Sequence, residues 1–264
     1  MARSALLNVM VDAARKAGRT LTRDYGEVEN LQVSVKGPGN FVTAADRRVE
    51  QILFEELSKA RPGYGFLMEE RGEVEGSDGT HRWIIDPLDG TTNFMHSIPI
   101  FAISIALERQ GTIVAGVIYN PIMDELYVAE RGGGAFVNDR RMRVAARSRL
   151  VDTVIATDIP HLGRGDHAAY TNELRMVMNE VAGLRSTGST ALDLAWVASG
   201  RLDGAIHHGF SPWDIAAGIL MVREAGGFIS DHDGKDLMFT RQASVAGNED
   251  VHRRLLMVLK KTKV

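Results

Sequence analysis

The segment Asp86-Pro87-Leu88-Asp89-Gly90-Thr91-Thr92-Asn93 holds the residues whose types and spacing are best suited to chemistry. Its two carboxylates stand three residues apart, directly behind the apolar run Trp83-Ile84-Ile85, which predicts a buried strand. Two like charges about 4 Å apart repel by roughly 4 kcal/mol at an effective dielectric of about 20. A divalent cation removes that cost, and carboxylate oxygens suit Mg²⁺ or Mn²⁺. The pair therefore predicts a metal site.

The residues that follow the two carboxylates add a feature suited to anions. Gly90-Thr91-Thr92 supplies backbone N–H groups and hydroxyls at a predicted helix N-terminus, where phosphate binds readily. Glycine at position 90 leaves room for a ligand to approach the backbone closely. We therefore predict that the N–H groups of Gly90 and Thr91 bind a phosphate, and a metal beside a phosphate predicts phosphoryl chemistry.

Three further acidic groups are candidates for the same site. Glu69-Glu70 follows the apolar run Gly65-Phe66-Leu67-Met68, which predicts a strand. Asp214 lies in Trp213-Asp214-Ile215, and Asp46 is near the start of the second predicted helix. Each alone has a plain structural explanation, because Asp at a helix start is usually a cap and paired Glu residues are usually solvated. A catalytic interpretation requires that all of them meet in one cleft.

Composition limits the class of protein. The 264 residues include 44% apolar residues, enough for a large core, and the net charge of -3 argues against a dominant nucleic-acid-binding surface. The absence of cysteine excludes disulfides, thiolate zinc sites and cysteine nucleophiles. No apolar run approaches the roughly 20 residues of a membrane span, and the N-terminus lacks a signal pattern. We expect a soluble cytoplasmic protein.

The elements that must position these residues divide into two predicted halves. In the first half, 1–140, helices are predicted over 4–25 and 44–60, the second with Thr43 as N-cap and Asp46 completing a capping box. Strands are predicted at 31–35, 65–69, 82–86, 99–107, 112–119 and 124–129. Helices followed by several strands predict an α+β half with helices on an antiparallel sheet.

The second half, 141–264, alternates strands and helices and predicts an α/β layer. Its predicted strands are 152–157, 183–186, 203–207, 227–230 and 243–246, and its predicted helices are 167–182, 190–199, 214–225 and 248–261. No Ser/Gly/Pro-rich linker separates the halves, so we expect them to pack as one unit with the active site between them.

Two segments of the chain resemble the signatures of the inositol monophosphatase family. They are residues 83–94 and residues 213–218 with the following Glu224-Ala225-Gly226-Gly227. The other motif positions fall in the same order as in the family: Lys36, Thr43, Asp46, Glu69-Glu70 and Gly188-Ser189-Thr190. The resemblance covers nearly the whole chain. It implies a layered αβαβα sandwich, commonly dimeric, that hydrolyses phosphate monoesters with Mg²⁺ and is inhibited by Li⁺.

The resemblance also implies a set of metal ligands. Glu69, Asp86 and the carbonyl of Leu88 would hold one Mg²⁺, and Asp86, Asp89 and Asp214 would hold a second. A third, weaker Mg²⁺ near Glu69 would make two or three ions per site. Two such ions clamp the attacking and leaving oxygens of a phosphate and lower the pKa of bound water.

Catalytic and substrate-binding roles follow from the same resemblance. Glu69 would orient or deprotonate the water, and Thr91, hydrogen-bonded to Asp46, would form a second orienting pair. Gly188-Ser189-Thr190 would contact the alcohol part of the substrate, although an ordinary helix cap explains that segment equally well. Asp89 and Asp214 are counted with the substrate-binding residues as well as the metal ligands.

One position departs from the family pattern. Some inositol-cleaving members carry Glu seven residues before the second-motif Asp, where it binds sugar hydroxyls, and here that position is His207. Histidine still hydrogen-bonds a polyol but is not a carboxylate acceptor, so we keep His207 as a substrate-binding residue and question strict inositol specificity. His207 and His208 are adjacent on a predicted strand, point to opposite faces and cannot easily share a ligand.

Two classes of function remain open from the sequence. The leading prediction is a Mg²⁺-dependent phosphatase for a small phosphorylated polyol, inositol monophosphate first, with fructose-1,6-bisphosphate, histidinol phosphate or a 3′-phosphonucleotide as alternatives. The other is a regulatory role, because some bacterial relatives join transcription complexes. The short basic runs at 140–143 and 260–263 suit such partners, but the near-neutral net charge gives little support.

Overall fold

Five layers of secondary structure stack in the order helix, sheet, helix, sheet, helix, which confirms the predicted αβαβα sandwich. The computed structural model describes residues 4–27, 33–37, 40–160 and 165–262. Three parts of the predictions lie outside the described residues. They are Leu31 and Gln32 of the predicted strand at 31–35, the side chain of Lys36, and Lys263 of the second basic run.

Eight α-helices lie within the described residues. They are α1 (Ala5–Tyr25), α2 (Ala44–Ala60), α3 (Thr91–Met95), α4 (His167–Met178), α5 (Thr190–Ala198), α6 (Pro212–Glu224), α7 (Met238–Arg241) and α8 (Glu249–Thr262). Their starts follow local capping chemistry. The Ser4 hydroxyl accepts the N–H of Leu7 at the start of α1, and Thr43 and Asp46 form the predicted capping box of α2.

Fifteen β-strands lie within the same residues. They are β1 (Val33–Gly37), β2 (Asn40–Thr43), β3 (Gly65–Met68), β4 (Gly72–Val74), β5 (His81–Asp89), β6 (Ala102–Arg109), β7 (Thr112–Asn120), β8 (Glu125–Glu130), β9 (Gly134–Val137), β10 (Arg140–Arg141), β11 (Val154–Thr157), β12 (Gly183–Arg185), β13 (Gly204–His208), β14 (Phe228–Ser230) and β15 (Ala243–Gly247). A short 3₁₀ turn covers Leu150–Asp152.

The strands form two large sheets and one hairpin. The first sheet has the order β10-β9-β8-β7-β6-β5-β3-β4 and is antiparallel except where β3 runs parallel to β5. The second sheet has the order β12-β11-β13-β15-β14 and is mixed, with β11 parallel to both β12 and β13. β1 pairs only with β2 in the described part of the chain.

Three apolar clusters separate the layers. One lies between α1, α2 and the outer face of the first sheet, and another lies outside the second sheet beneath α4 and α8. The largest surrounds α5 and α6 between the two sheets and takes side chains from both predicted halves. The boundary at residues 140 and 141 therefore stays a prediction, while the packing of both halves on one core agrees with a shared cleft.

Several element bounds differ from the sequence-based ones. The predicted helix over 167–182 ends at Met178, because β12 begins at Gly183 and pairs with β11. β9 was missed because its glycine-rich start predicts a turn, yet Gly134–Val137 pairs with β8. β4 was missed because Gly72-Glu73-Val74 is short and polar, as edge strands are. No helix of the described residues is long and apolar enough to cross a membrane.

The crossing of α5 and α6 depends on a glycine, and α6 carries Asp214. A Cβ built on Gly218 would lie 2.5 Å from Leu194 Cδ1 and 2.6 Å from its Cβ. Gly218→Ala is therefore expected to push the two helices apart and lower the free energy of unfolding by about 1–3 kcal/mol, measured by urea denaturation. Gly26→Ala is the control, because Gly26 has φ -73° and its Cβ would meet only a carbonyl at 3.5 Å. An unchanged midpoint for Gly218→Ala would contradict the close packing.

Candidate active site and metal centre

A bulge in β5 explains how two carboxylates three residues apart face the same side. Asp86 pairs with Ser104 and Asp89 with Ala102 on β6, so the interval of three residues on β5 is matched by two on its neighbour. In a regular strand residues three apart point to opposite faces, and a bulge cancels that alternation. The Leu88 N–H donates to Asp86 Oδ1 at 2.8 Å and holds the bulge.

Asp214 reaches the same point from the first turn of α6. Pro212 begins the helix and Ser211 precedes it as N-cap, with the Ser211 N–H donating to Asp214 Oδ2 at 2.7 Å. Each of Asp86, Asp89 and Asp214 offers a carboxylate oxygen within 4.8 Å of the other two. The convergence required by the catalytic interpretation is therefore present for these three residues.

The start of α5 fixes the orientation of Asp89. Asp89 Oδ2 accepts a hydrogen bond of 2.5 Å from the Ser189 hydroxyl and one of 2.7 Å from the Ala191 N–H. Because both donors bond to Oδ2 of Asp89, its other oxygen, Oδ1, is left to face Asp86 and Asp214. The Ser189 hydroxyl thus positions Asp89, and the contact of Ser189 with the alcohol part of a substrate stays a prediction.

Glu69 lies in the turn that follows β3 and lines the same cavity as the three aspartates. Its negative charge raises the pKa of Asp86. Glu69 therefore belongs electrostatically with Asp86, Asp89 and Asp214, and these four residues are called the acid cluster. The turn is held from α2, where the buried Glu50 accepts the Glu70 N–H at 2.8 Å and pairs with Arg71 at 3.4 Å. No sequence signal distinguished Glu50 from an ordinary helical glutamate.

The Thr91–Asp46 contact implied by the family resemblance is present. The Thr91 hydroxyl lies 3.2 Å from Asp46 Oδ1 and 3.1 Å from the Leu88 carbonyl oxygen. Asp46 Oδ2 accepts from the Thr43 hydroxyl at 2.5 Å. The pKa of Asp46 is raised to about 6, mainly by burial, against the lowering effect of the hydrogen bonds from Thr43 and with smaller increases from the charges of Glu69 and Glu70. The hydroxyl is therefore tied to a carboxylate at the edge of the acid cluster.

The acid cluster holds its negative charges at a high electrostatic cost. Burial, and then the charges of Glu69, Asp89 and Asp214, raise the pKa of Asp86 well above its usual value. Burial and the charge of Asp214 raise the pKa of Asp89 to about 8. A buried carboxyl flanked by other carboxyls keeps its proton unless a cation replaces it. An all-oxygen donor set with this charge fits Mg²⁺ or Mn²⁺.

The raised pKa of Asp89 predicts how divalent cations change stability with pH. In the metal-free protein the folded state binds more protons than the unfolded state between about pH 4 and pH 8, so stability falls as pH rises through that range. Mg²⁺ removes this penalty. We expect the Tm gain at saturating Mg²⁺ to be on the order of 5 °C at pH 8 and smaller at pH 6, measured by calorimetry. A gain that shrinks as pH rises would contradict the assignment.

Glycines and one amide shape the backbone next to the acids. Gly90 adopts φ +97°, and a Cβ there would lie 2.9 Å from the Ile100 carbonyl oxygen, so only glycine fits without strain. The Asn93 side-chain amide donates to the carbonyls of Ile100 and Thr187, each at 2.7 Å. This links α3 to the Gly188 loop, a contact that the pattern of residues 83–94 does not predict.

Glu69 and the three aspartates line one cavity of about 1400 Å³. Of the residues proposed from the sequence, its lining contains Glu69, Asp86, Leu88, Asp89, Gly90, Thr91, Gly188, Ser189, Thr190 and Asp214. Asp46 lies behind Thr91 and is buried.

His207 is placed differently from its predicted role as a substrate-binding residue. Its side chain is 0% exposed, lies outside the cavity lining and approaches Asp193 Oδ2 with Nε2 at 3.1 Å. The next residue, His208, lines the cavity instead. Alternation along β13 turns one imidazole toward α5 and the other toward the cavity, and nothing in the flanking residues indicates which.

Comparison with known proteins places relatives of this chain in one family. The model of the inositol monophosphatase family matches residues 2–262. The chain is 69% identical to an inositol-1-monophosphatase of Mesorhizobium japonicum, over 99% of this chain and 98% of that protein. It is 42% identical to the Nus factor SuhB of Escherichia coli, over 95% of this chain and 94% of that protein.

A solved structure has the same fold over nearly its whole length. The crystal structure of extragenic suppressor protein suhB from Bartonella henselae superposes with a TM-score of 0.96 at 62% identity, over 98% of this chain and 99% of that one. The chain therefore belongs to the inositol monophosphatase family, a family of phosphatase hydrolases.

Proposed function

We propose that the chain hydrolyses the phosphate monoester of a small polyol in the presence of Mg²⁺, with inositol monophosphate as the first candidate substrate. The supporting observation is that carboxylate oxygens of Asp86, Asp89 and Asp214 lie within 4.8 Å of one another, beside the open backbone at Gly90. Family membership and the names of the relatives support the same reaction.

The acid cluster provides the ligands for two ions, with a third, weaker ion near Glu69. Glu69, Asp86 and the Leu88 carbonyl form one set, and Asp86, Asp89 and Asp214 form the other. When bound, the cations neutralise the phosphate charge and lower the pKa of water. Hydrogen bonds hold these oxygens in place: the Leu88 N–H donates to Asp86, and the Ala191 N–H of α5 donates to Asp89.

Glu69 and the Thr91–Asp46 pair act on the attacking water. Because the Thr91 hydroxyl donates to Asp46 Oδ1 or to the Leu88 carbonyl, its oxygen lone pairs stay available to accept a hydrogen bond from water. The Glu69 carboxylate then takes the proton that the water loses on attack. The N–H groups of Gly90 and Thr91 bind the phosphate oxygens.

The size of the cavity favours a range of phosphorylated alcohols. About 1400 Å³ exceeds the roughly 300–1,000 Å³ typical of small-molecule sites. The position of the family's sugar-binding Glu is held here by the buried His207, so this chain has no carboxylate at that point. Fructose-1,6-bisphosphate, histidinol phosphate and a 3′-phosphonucleotide therefore stay alternative substrates.

A substrate panel tests the proposal. Released phosphate is measured for inositol 1-phosphate and the three alternatives, with Mg²⁺, with Mg²⁺ plus Li⁺, and with chelator. We expect the highest kcat/KM on inositol 1-phosphate, Mg²⁺-dependent turnover and inhibition by Li⁺. A higher kcat/KM on another member of the panel would change the assigned substrate but not the assigned reaction. No turnover on any member would refute both the substrate and the phosphatase reaction.

A second candidate function is binding to a transcription complex, because a relative matched over most of its length is named a Nus factor. Arg140, Arg141 and Arg143 are exposed, as are Lys260 and Lys261, so the described basic residues of both runs are accessible. The Asp89→Asn variant used as bait for purified transcription factors separates the two functions. Binding that survives this substitution and is lost when the arginines become Ser supports the second role.

The quaternary state and the compartment are part of the same proposal. The homodimer follows from the family resemblance, and the cytoplasmic location from the composition of the chain. Sedimentation velocity at micromolar concentration tests the dimer, and a single species at 28.9 kDa, the mass of one chain, would contradict it.

A further inference from the structure

A second group of potential metal ligands lines the cavity apart from the acid cluster. It consists of Glu173 on α4, His208 at the end of β13 and His232 in the loop after β14. Each offers a ligand atom within 4.8 Å of the other two. Residues 173, 208 and 232 are far apart in sequence, so only the fold brings them together.

The geometry of the three side chains is close to that of a coordination site. His208 Nε2 lies 2.7 Å from Glu173 Oε1, and the rings of His208 and His232 meet edge to face with centroids 4.4 Å apart. Tetrahedral Zn²⁺ bonds of about 2.0–2.1 Å place ligand atoms roughly 3.3 Å from one another. The three ligand atoms lie within 4.8 Å of one another, so side-chain rotation is what would bring them onto one ion.

The charges around the group favour a cation. Glu173 is buried and carries the anionic ligand. The backbone N–H of His208 donates a hydrogen bond to Asp158 Oδ2 at 2.8 Å. The other carboxylate oxygen of Asp158, Oδ1, is buried and has no hydrogen-bond partner among the described residues. A second carboxylate beside the group adds negative potential without occupying a ligand position.

The donor types distinguish this group from the acid cluster. Two imidazoles and one carboxylate are a set that Zn²⁺ uses with a fourth position open, whereas three carboxylates suit Mg²⁺. We propose that Glu173, His208 and His232 form a separate site for a borderline transition-metal ion, Zn²⁺ first. Because all three side chains line the cavity, the open coordination position is accessible to a molecule bound there.

A plain hydrogen-bonded network is the competing explanation. His81 and Asp78 form such a pair, with Nδ1 2.8 Å from Oδ2, and neither belongs to a metal-ligating group in the described residues. His81→Ala is therefore a matched control, because it removes a carboxylate-bonded imidazole without touching the proposed site.

The test uses the untagged full chain in excess Mg²⁺, which competes for the acid cluster. Zn²⁺ binding is measured by calorimetry, and Cu²⁺ is added separately as a probe whose electron paramagnetic resonance spectrum shows coupling to ligand nitrogen. We expect one Zn²⁺ per chain, nitrogen coupling from imidazole, and at least tenfold weaker Zn²⁺ binding in His208→Ala, His232→Ala and Glu173→Gln. His81→Ala should bind as the unmodified chain does.

Two results would overturn the proposal. One is the absence of Zn²⁺ binding in excess Mg²⁺. The other is binding that is unchanged in all three site variants, which would assign the ion to the acid cluster or elsewhere. Glu173→Gln keeps the side-chain shape, and circular dichroism of each variant shows that a loss of binding is not a loss of fold. The test does not depend on turnover, so it stands whether or not the phosphatase proposal holds.

Discussion

Asp89→Asn is expected to lower kcat for Mg²⁺-dependent phosphate release by about 10³-fold or more. The substitution keeps the shape of the side chain, and the Asn carbonyl oxygen takes over the hydrogen bonds from the Ser189 hydroxyl and the Ala191 N–H. The amide nitrogen then occupies the position that faces the other acids. It carries hydrogens and no negative charge, so it repels a cation instead of binding it.

Binding measurements separate this effect from a folding defect. Asp89→Asn should also weaken Mg²⁺ binding measured by calorimetry. In the metal-free state it should be at least as stable as the unmodified chain at pH 8, because it removes a buried charge whose pKa is raised. Asp12→Asn is the control, because it removes one negative charge on the exposed face of α1 and should leave turnover unchanged. Intact turnover in Asp89→Asn would refute the metal assignment.

Thr91→Val is the second substitution with a large expected effect, a fall in kcat of about 10²-fold or more. Valine keeps the branched shape but removes the hydroxyl that lies 3.2 Å from Asp46 Oδ1 and 3.1 Å from the Leu88 carbonyl. Without it the attacking water has no oriented partner on that side. Because no carboxylate is lost, Mg²⁺ affinity should change by only a few-fold, so the defect appears in kcat at saturating Mg²⁺.

Thr92→Val is the matched control for that experiment. Thr92 is the next residue of α3, is exposed and also lines the cavity, but no hydrogen bond ties its hydroxyl to Asp46. We expect its kcat to stay within about twofold of the unmodified chain. Equal losses in the two variants would indicate that α3 itself is disturbed and that the Thr91 hydroxyl has no special part.

Most helices could be predicted from the sequence because their signals are local, whereas the layered sandwich was implied by the family resemblance. Thr43 and Asp46 lie three residues apart at a helix start, and the amphipathic pattern of α1 ends at a glycine. The acid residues could be selected because Asp86 and Asp89 follow a buried strand. Their meeting with Asp214 depends on a bulge and on a helix crossing, which the family resemblance implied and the spacing alone did not.

What could not be predicted depends on which face of a strand meets the cavity. His207 and His208 differ by one position on β13, and both faces of that strand are covered, so polarity does not mark the exposed side. Because the sequence does not show which face of β13 meets the cavity, it also did not predict the group formed by Glu173, His208 and His232. His232 lies in a turn, and its neighbours in that group come from elements more than twenty residues away.

The most direct test of the central claim is phosphate release from inositol 1-phosphate by the metal-stripped chain, before and after addition of Mg²⁺. If the carboxylates of Asp86, Asp89 and Asp214 exist to hold divalent ions beside the ester, turnover should be absent before addition and saturate with Mg²⁺ afterwards. Full turnover of the metal-stripped chain in the presence of chelator would contradict it.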